Sequence, residues 1–229
     1  MKKFYGGFTL AELLITLGIL GVIASITLPG LNVNVTKQQT GPALAKAVNT
    51  LETANQLALQ EGGVRTLDQL TDTKTAYFDD VLMKYVQFRK VALDKKYYNY
   101  DLTATYDTKS KNTYTSKDGI SFLHAVEGPT PLSATRLKAL GLGYSGSYYT
   151  VYIDVNSNAK GPNALGKDLF QVLVDTKGTV IPYGGTAWSA YTGKSVEWKK
   201  GGCDKPRVNP TAPLSCAGSI ADNGYKVIY

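Results

Sequence analysis

Residues 7–31 read GFTLAELLITLGILGVIASITLPGL, and this stretch decides how the rest of the chain is organised. From Phe8 to Leu28 it holds 21 residues, which are apolar or small apart from one carboxylate, Glu12. As an α-helix the segment is about 32 Å long at about 1.5 Å per residue, close to the hydrocarbon thickness of a bilayer. The stretch therefore predicts a membrane-spanning helix.

Glu12 is the only charged side chain between Lys3 and Lys37. A carboxylate in a membrane-spanning helix costs about 3 kcal/mol on insertion scales, so such a residue usually has a partner or a function. The alternative is a plain signal anchor in which the Glu12 carboxylate lies close enough to the membrane surface to reach water.

The order of signals is the reverse of an ordinary secretory signal, in which the apolar run precedes the cleavage site. Here Lys2, Lys3 and the pair Gly6-Gly7 come first, so cleavage at the glycines leaves the apolar helix on the mature chain. The segment resembles the type IV prepilin signal that is shared by type IV pilins, type II secretion pseudopilins and competence pilins. The resemblance covers residues 1–30 and depends on these positions: Gly7, Phe8, Thr9, Leu10, Glu12 and Pro29.

The resemblance implies that a prepilin peptidase of the inner membrane cuts between Gly7 and Phe8 and then methylates the new amine of Phe8. It also implies polymerisation through the N-terminal helix, in which the Glu12 carboxylate pairs with the Phe8 amine of a neighbouring subunit. The expected organisation is a leader at 1–7, a transmembrane and assembly helix at 8–30, an amphipathic helix at 31–62 and a globular domain at 63–229.

The expected helix has a weak point and a clear end. Pro29 removes a backbone donor and Gly30 weakens helix continuity, which predicts either a kink or the end of the anchor. Gly62-Gly63 predicts the end of the amphipathic helix. Apolar residues at spacings of three and four predict one buried stripe on that helix: Leu44, Ala47, Val48, Leu51, Ala54, Leu57 and Ala58.

The remainder predicts an α+β domain in which an antiparallel β-sheet packs on the upper part of the long helix, as in type IV pilins. A short helix is expected at 79–86, a loop at 103–116 and a strand at 120–126. Alternating apolar residues predict strands at 147–154 and 168–175, with a hairpin leading into another strand at 179–181. A turn and a terminal strand are expected at 223–229.

The segment between two of those strands carries oxygen-bearing side chains at alternate positions. Calcium needs six to eight oxygen ligands, and the candidates are Asp154, Asn156, Asn158 and Asp168. The pattern departs from an EF-hand, because Ala159 and Leu165 stand where that motif has glycine and glutamate. It resembles, more loosely, the calcium-holding loops of some secretion pseudopilins. The alternative is a polar turn whose side chains bond their own backbone.

The two cysteines, Cys203 and Cys216, bound a proline-rich segment with little apolar content. In a domain outside the cytoplasm an even number of cysteines favours a disulfide, whereas a reducing compartment would leave two thiols. Some pilins have a cysteine-bounded C-terminal loop in a similar place.

Charge and motifs argue against two other classes of function. The net charge is +7, and it is +5 without Lys2 and Lys3; the basic residues are scattered rather than clustered, which disfavours nucleic-acid binding. The single histidine, His124, lies in an apolar stretch and is coupled to no nucleophile motif. The chain is therefore expected not to be an enzyme.

The resulting hypothesis is a structural subunit of a type IV pilus-like filament. Its expected partners are copies of itself, the prepilin peptidase and the pilus or secretion assembly machinery. The subunit would be a single-pass inner-membrane protein before assembly and part of an extracellular or periplasmic filament afterwards. A type II secretion pseudopilin is the alternative that a calcium loop favours; a membrane-anchored surface-binding or DNA-uptake protein is a further one.

Overall fold

The structure is a computed structural model that describes residues 9–70, 77–124, 130–131, 147–196, 203 and 212–229. For 28–36, 124, 130, 131, 147 and 212 it describes the backbone alone. The chain divides into two compact units, Met1–Gln39 and Thr40–Tyr229.

Helix α1 spans Leu10–Gly62 and contributes to both units. Its part in the second unit buries one stripe, which confirms the predicted positions Leu44, Ala47, Val48, Leu51, Ala54 and Ala58. The inclusion of Leu57 was wrong, because that side chain is 45% exposed and Leu59 is buried in its place. The predicted end at Gly62-Gly63 is confirmed, and Gly63 has a positive φ of 61°.

The second unit contains an antiparallel sheet of seven strands among the described residues. The strands of this sheet are β1 Phe88–Ala92, β4 Asn112–Ser116, β5 Ser121–His124, β6 Thr130–Pro131, β7 Ser147–Asp154, β8 Leu169–Asp175 and β9 Val180–Pro182. Their order is β1-β4-β5-β7-β8-β9, with β6 paired to β7. A separate hairpin joins β2 Tyr97–Tyr98 to β3 Thr105–Tyr106.

One face of the sheet packs on α1. The register aligns Phe122 with Ile153 and Ile153 with Phe170, and these side chains belong to one core cluster with Leu44 and Leu51 of α1. A strand whose alternate residues are apolar buries one face in this way. The α+β fold class predicted from the sequence is confirmed.

The opposite face of the sheet is covered by two smaller clusters. Leu123 and Tyr152 pack with Tyr97 of the β2–β3 hairpin. Leu173 and Ile181 pack with Trp188 of helix α3, Thr186–Thr192. The ends of β7 and β8 therefore lie between covered surfaces. In the loop that joins these strands, residues 163–166 and Asp168 are buried, whereas residues 159–161 are exposed.

Several local expectations need correction. The expected helix at 79–86 is π-helical at Tyr77–Leu82 and α-helical at Met83–Tyr85; together they form α2. The stretch 103–116 was predicted as a loop, but it contains β3 and β4. The expected strand at 120–126 corresponds to β5, and 125–126 lie outside the described residues. The predicted strands at 147–154, 168–175 and 179–181 correspond to β7, β8 and β9.

The C-terminus also differs from its prediction. Cys216–Asp222 forms helix α4, and the residues after it form a turn followed by an irregular tail rather than a strand. Helix α4 packs tightly on the turn before α3, since a side chain at Gly218 would meet the backbone nitrogen of Gly185 at 2.0 Å. The C-terminal segment is therefore held by close backbone packing instead of by sheet pairing.

Candidate functional site

The first turn of α1 holds Glu12 in a closed set of hydrogen bonds with Thr9. The backbone N–H and the hydroxyl of Thr9 both donate to Oε2 of Glu12, each at 2.9 Å. The backbone N–H of Glu12 donates to Oγ1 of Thr9 at 3.3 Å. This arrangement is a capping box, in which the residue before the helix and the third helical residue satisfy each other's donors.

The helix that follows has the character of a membrane segment. Leu10–Thr27 has a mean hydropathy of 2.1 and is long and apolar enough to cross a membrane, by length and composition. Its large side chains are exposed, for example Leu14 and Ile15 at 63% each. A surface of this kind in a monomer marks contact with lipid or with other proteins.

The sequence also predicts a processing site at Gly7 and Phe8 and a kink at Pro29 and Gly30. Gly7 and Phe8 lie outside the described residues, so the processing site stays a prediction. Helix α1 runs through Pro29 and Gly30. A continuous helix is compatible with a bend, so the kink at that pair stays a prediction.

The loop between β7 and β8 brings two buried carboxylates together with backbone donors. Asp154 accepts from the Tyr97 hydroxyl at 2.7 Å and from the Asn156 N–H at 3.1 Å. Asp168 accepts from the N–H groups of Asn163 and Ala164 at 2.7 and 2.6 Å. These bonds shape the loop, as the polar-turn alternative expects.

The asparagines of this loop differ in how they are used. Asn158 binds the backbone of Lys95 with both ends of its amide: Oδ1 accepts from the Lys95 N–H and Nδ2 donates to the Lys95 carbonyl, each at 3.0 Å. Asn156 and Asn163 donate through Nδ2 to the carbonyls of Gly161 and Asn158. Their Oδ1 atoms are buried without a hydrogen-bond partner.

Burial disfavours the ionised forms of both Asp154 and Asp168. Burial, and next the charge of Asp168, raise the pKa of Asp154 to about 7. Burial also raises the pKa of Asp168, against the lowering effect of its backbone hydrogen bonds. Positive charge between the two carboxylates would favour their ionised forms.

The oxygen atoms of this loop are of the type that binds calcium. It offers two carboxylates and two buried amide oxygens that lack donors, and calcium prefers such oxygens. No group of three or more histidine, cysteine or acidic residues that could hold a metal occurs in the part of the chain that the structure describes. The calcium site with the ligands Asp154, Asn156, Asn158 and Asp168 stays a prediction. The Oδ1 atom of Asn158 already accepts from the Lys95 N–H, whereas Oδ1 of Asn163 is a further buried oxygen without a hydrogen-bond partner.

The predicted disulfide between Cys203 and Cys216 is confirmed. Both sulfurs are buried, and the two Cα atoms are 5.3 Å apart. The bridge lies against the loop between β7 and β8, since a side chain at Gly166 would come within 2.9 Å of the Cys216 sulfur. The Tyr229 hydroxyl donates to the Gly166 carbonyl at 2.8 Å. The C-terminal residues and this loop are therefore one packed unit.

Two residues of these sites, Thr9 and Asn163, were not predicted from the sequence to have a role there. Thr9 was read only as part of the N-terminal signal, although threonine three residues before glutamate is the sequence signature of a capping box. Asn163 carried no signal, because its contribution depends on how the loop folds back onto Asp168.

The comparisons with known proteins point to the N-terminal segment alone. Residues 2–28 match the family model described as the prokaryotic N-terminal methylation motif. The comparison with curated proteins and the comparison with solved structures found no match. The start of the chain thus carries the prepilin-type methylation signal, which supports a type IV pilin-like or pseudopilin protein that is anchored in a membrane before assembly.

Proposed function

We propose that this chain is a structural subunit of a type IV pilus-like filament. A prepilin peptidase removes residues 1–7 and methylates Phe8, and the processed subunits polymerise through α1. The observation that carries the proposal is the coincidence of the methylation motif at residues 2–28 with an exposed apolar helix whose one charge is Glu12.

Assembly gives the Glu12 carboxylate a purpose that a plain anchor lacks. Opposite charges about 4 Å apart attract by about 4 kcal/mol at an intermediate effective dielectric. Such a pair between Glu12 and the Phe8 amine of a neighbour fixes the axial register of helices that apolar contacts alone would allow to slide. The remainder of the protein, the α+β unit, then coats the filament, and no enzymatic activity is needed.

A pseudopilin of type II secretion is the second candidate. The two buried carboxylates and the two unpartnered amide oxygens of the loop between β7 and β8 favour it, because they suit calcium. The Cys203–Cys216 disulfide supports the pilus subunit instead, since it closes a C-terminal segment like the one in some pilins. Both candidates share the processing and the assembly chemistry.

The experiment replaces Glu12 by alanine and measures filaments sheared from cells together with subunit in the membrane. We expect Glu12→Ala to abolish filaments while the membrane pool stays at the unmodified level, because the helix remains apolar. Thr16→Ala is the matched control, since its hydroxyl only donates to the Leu13 carbonyl in the same helix. Filaments at unchanged yield from Glu12→Ala would refute the assembly role.

A further inference from the structure

Helix α1 passes through two adjacent poor helix formers, Gly41 and Pro42, at the start of the second compact unit. Relative to alanine, a glycine and a proline inside a helix cost about 1 and about 3 kcal/mol. Pro42 has no N–H, so the Gln38 carbonyl receives no helical hydrogen bond, and a residue before proline is disfavoured in the helical conformation. The local sequence therefore favours a helix that begins at Pro42, whereas α1 continues through the pair.

The residues after helix α4 cross α1 at this point, and we call residues 225–229 the tail. A side chain at Gly41 would meet the carbonyl oxygen of Tyr225 at 1.9 Å, its carbonyl carbon at 2.8 Å and the backbone nitrogen of Lys226 at 3.6 Å. Gly41 is buried, although residues 37–39 and Pro42 are exposed. The tail backbone thus covers α1 where the helix is weakest by sequence.

The tail is held in place along its length. Tyr225, Val227 and Tyr229 pack against the main core cluster, and the Tyr229 hydroxyl donates to the Gly166 carbonyl at 2.8 Å. Tyr225 has a positive φ of 59°, a conformation that is unfavourable for a residue with a bulky side chain. The packing of the tail therefore maintains this crossing against the preference of its own backbone.

We propose that the tail is a latch on a hinge in α1. Backbone hydrogen bonds open most readily where few contacts cover them. While the tail is attached, it covers the backbone at Gly41 and keeps α1 continuous through Gly41 and Pro42. When the tail detaches, the helix opens at this pair and begins at Pro42 instead. The latch is independent of filament assembly, since its contacts lie within residues 40–229.

Amide hydrogen exchange of the detergent-solubilised protein measures this opening. In a continuous α-helix the N–H groups of residues 43–45 donate to the carbonyls of residues 39–41. These three amides lose their acceptors if the hinge opens, so they exchange faster. The amides of residues 51–58 lie farther along the same helix and report unfolding of the whole unit.

Two substitutions place the same charge at neighbouring positions of the tail. Val227 is half-buried and packs on the core, whereas Ile228 is 54% exposed. Burying a carboxylate is costly, so Val227→Asp should detach the tail and Ile228→Asp should not. We expect about tenfold faster exchange at residues 43–45 in Val227→Asp, with residues 51–58 unchanged, and no change in Ile228→Asp.

Tyr229→Phe is a milder variant that keeps the ring of the side chain. It removes the hydrogen bond to the Gly166 carbonyl and should raise exchange at residues 43–45 by about fivefold. This variant tests the latch even if Val227→Asp does not fold. Unchanged exchange at residues 43–45 in Tyr229→Phe would then overturn the inference.

The same measurement in a Pro42→Ala background shows whether the tail acts through the hinge. Alanine restores the missing N–H and the helix propensity, so α1 stays continuous without the tail and Val227→Asp should cause little further exchange at residues 43–45. The latch is refuted if Val227→Asp leaves exchange at residues 43–45 unchanged, raises it equally at residues 51–58, or has the same effect with Pro42 and with alanine.

Discussion

Asn55 is a buried polar residue that connects α1 to two other parts of the fold. Its side chain is fully buried; Oδ1 accepts from the Tyr77 hydroxyl at 2.7 Å, and Nδ2 donates to the Gly178 carbonyl at 3.0 Å. Gly178 approaches so closely that a side chain there would meet the Asn55 Cβ at 2.7 Å. The residue therefore fixes where the β8–β9 turn contacts the helix.

Replacing Asn55 by alanine should destabilise the α+β unit by about 2–3 kcal/mol. The reason is that the Tyr77 hydroxyl and the Gly178 carbonyl would both be left buried without their partner. The measurement is urea unfolding of the detergent-solubilised protein.

Gln56→Ala provides the control for this prediction. Gln56 donates to the Lys177 carbonyl of the same turn at 3.0 Å, but the bond is exposed, so water can replace it. We expect a change below about 0.5 kcal/mol. Equal losses of stability in the two variants would contradict the assigned role of Asn55.

The contacts of Asn55 could not be predicted from the sequence. The spacing of apolar residues predicted most of the buried stripe of α1 because periodicity is local. The partners of Asn55 lie 22 and 123 residues away, and no local pattern indicates them. Leu57 was misassigned for a related reason: its spacing suits the stripe, but the other elements do not cover it.

The loop between β7 and β8 is the element on which a metal-binding prediction depends. Calcium at this loop would stabilise the folded protein by mass action, by about 2.7 kcal/mol at a hundredfold excess over its Kd. We therefore expect the Tm to rise on addition of calcium and to return on chelation. The measurement is a thermal melt in the two conditions.

Two controls make the calcium result specific. Asp154→Asn keeps the shape of the side chain but removes one charged ligand, so calcium should shift its Tm much less. Magnesium should have a smaller effect than calcium, since it demands a tighter octahedral site. An unmodified protein whose Tm is the same with calcium and with chelator would leave the polar-turn interpretation as the correct one.

The disulfide element gives a second prediction. Cleaving the Cys203–Cys216 bridge with a reductant, or replacing both cysteines by serine, should cost about 2–4 kcal/mol of unfolding free energy. The bridge is buried against the loop between β7 and β8. It closes the segment 204–215, whose sequence has few large apolar residues. The measurement compares denaturant midpoints of the oxidised, the reduced and the Cys203→Ser/Cys216→Ser protein.

The double-serine variant is the control for the effect of the reductant. Reductant should leave the midpoint of the double-serine variant unchanged, which shows that its effect is confined to this bridge. If the oxidised and the reduced unmodified protein unfold at the same denaturant concentration, the disulfide does not stabilise this element.

The strands also show which elements a sequence can reveal. β7 and β8 were predicted because apolar residues alternate along them over a full strand length. β4 was missed, since its sequence NTYTS is mostly polar. It becomes a strand because β1 and β5 supply partners on both sides and because Tyr114 packs in the core. Tertiary pairing thus overrode the local signal.

At the scale of the whole molecule, the two compact units differ in what the sequence discloses. The N-terminal segment combines an apolar span, one carboxylate and a glycine pair that follows two lysines, and these features are all local, so the prepilin-type methylation motif could be predicted. The second unit was predicted as an α+β fold, but the β2–β3 hairpin that covers its sheet and its C-terminal helix α4 depend on contacts between distant residues. The sequence of the second unit therefore gives no comparable indication of what its surface binds.

The most direct test of prepilin-type processing and assembly is mass spectrometry of the N-terminal peptide, taken separately from sheared surface material and from membranes. A processed filament subunit should give a peptide that begins at methylated Phe8 in the sheared fraction. The same peptide confined to membranes would favour a pseudopilin over a surface pilus. An intact Met1 in both fractions would contradict the central claim, because neither processing nor assembly through a free Phe8 amine could then occur.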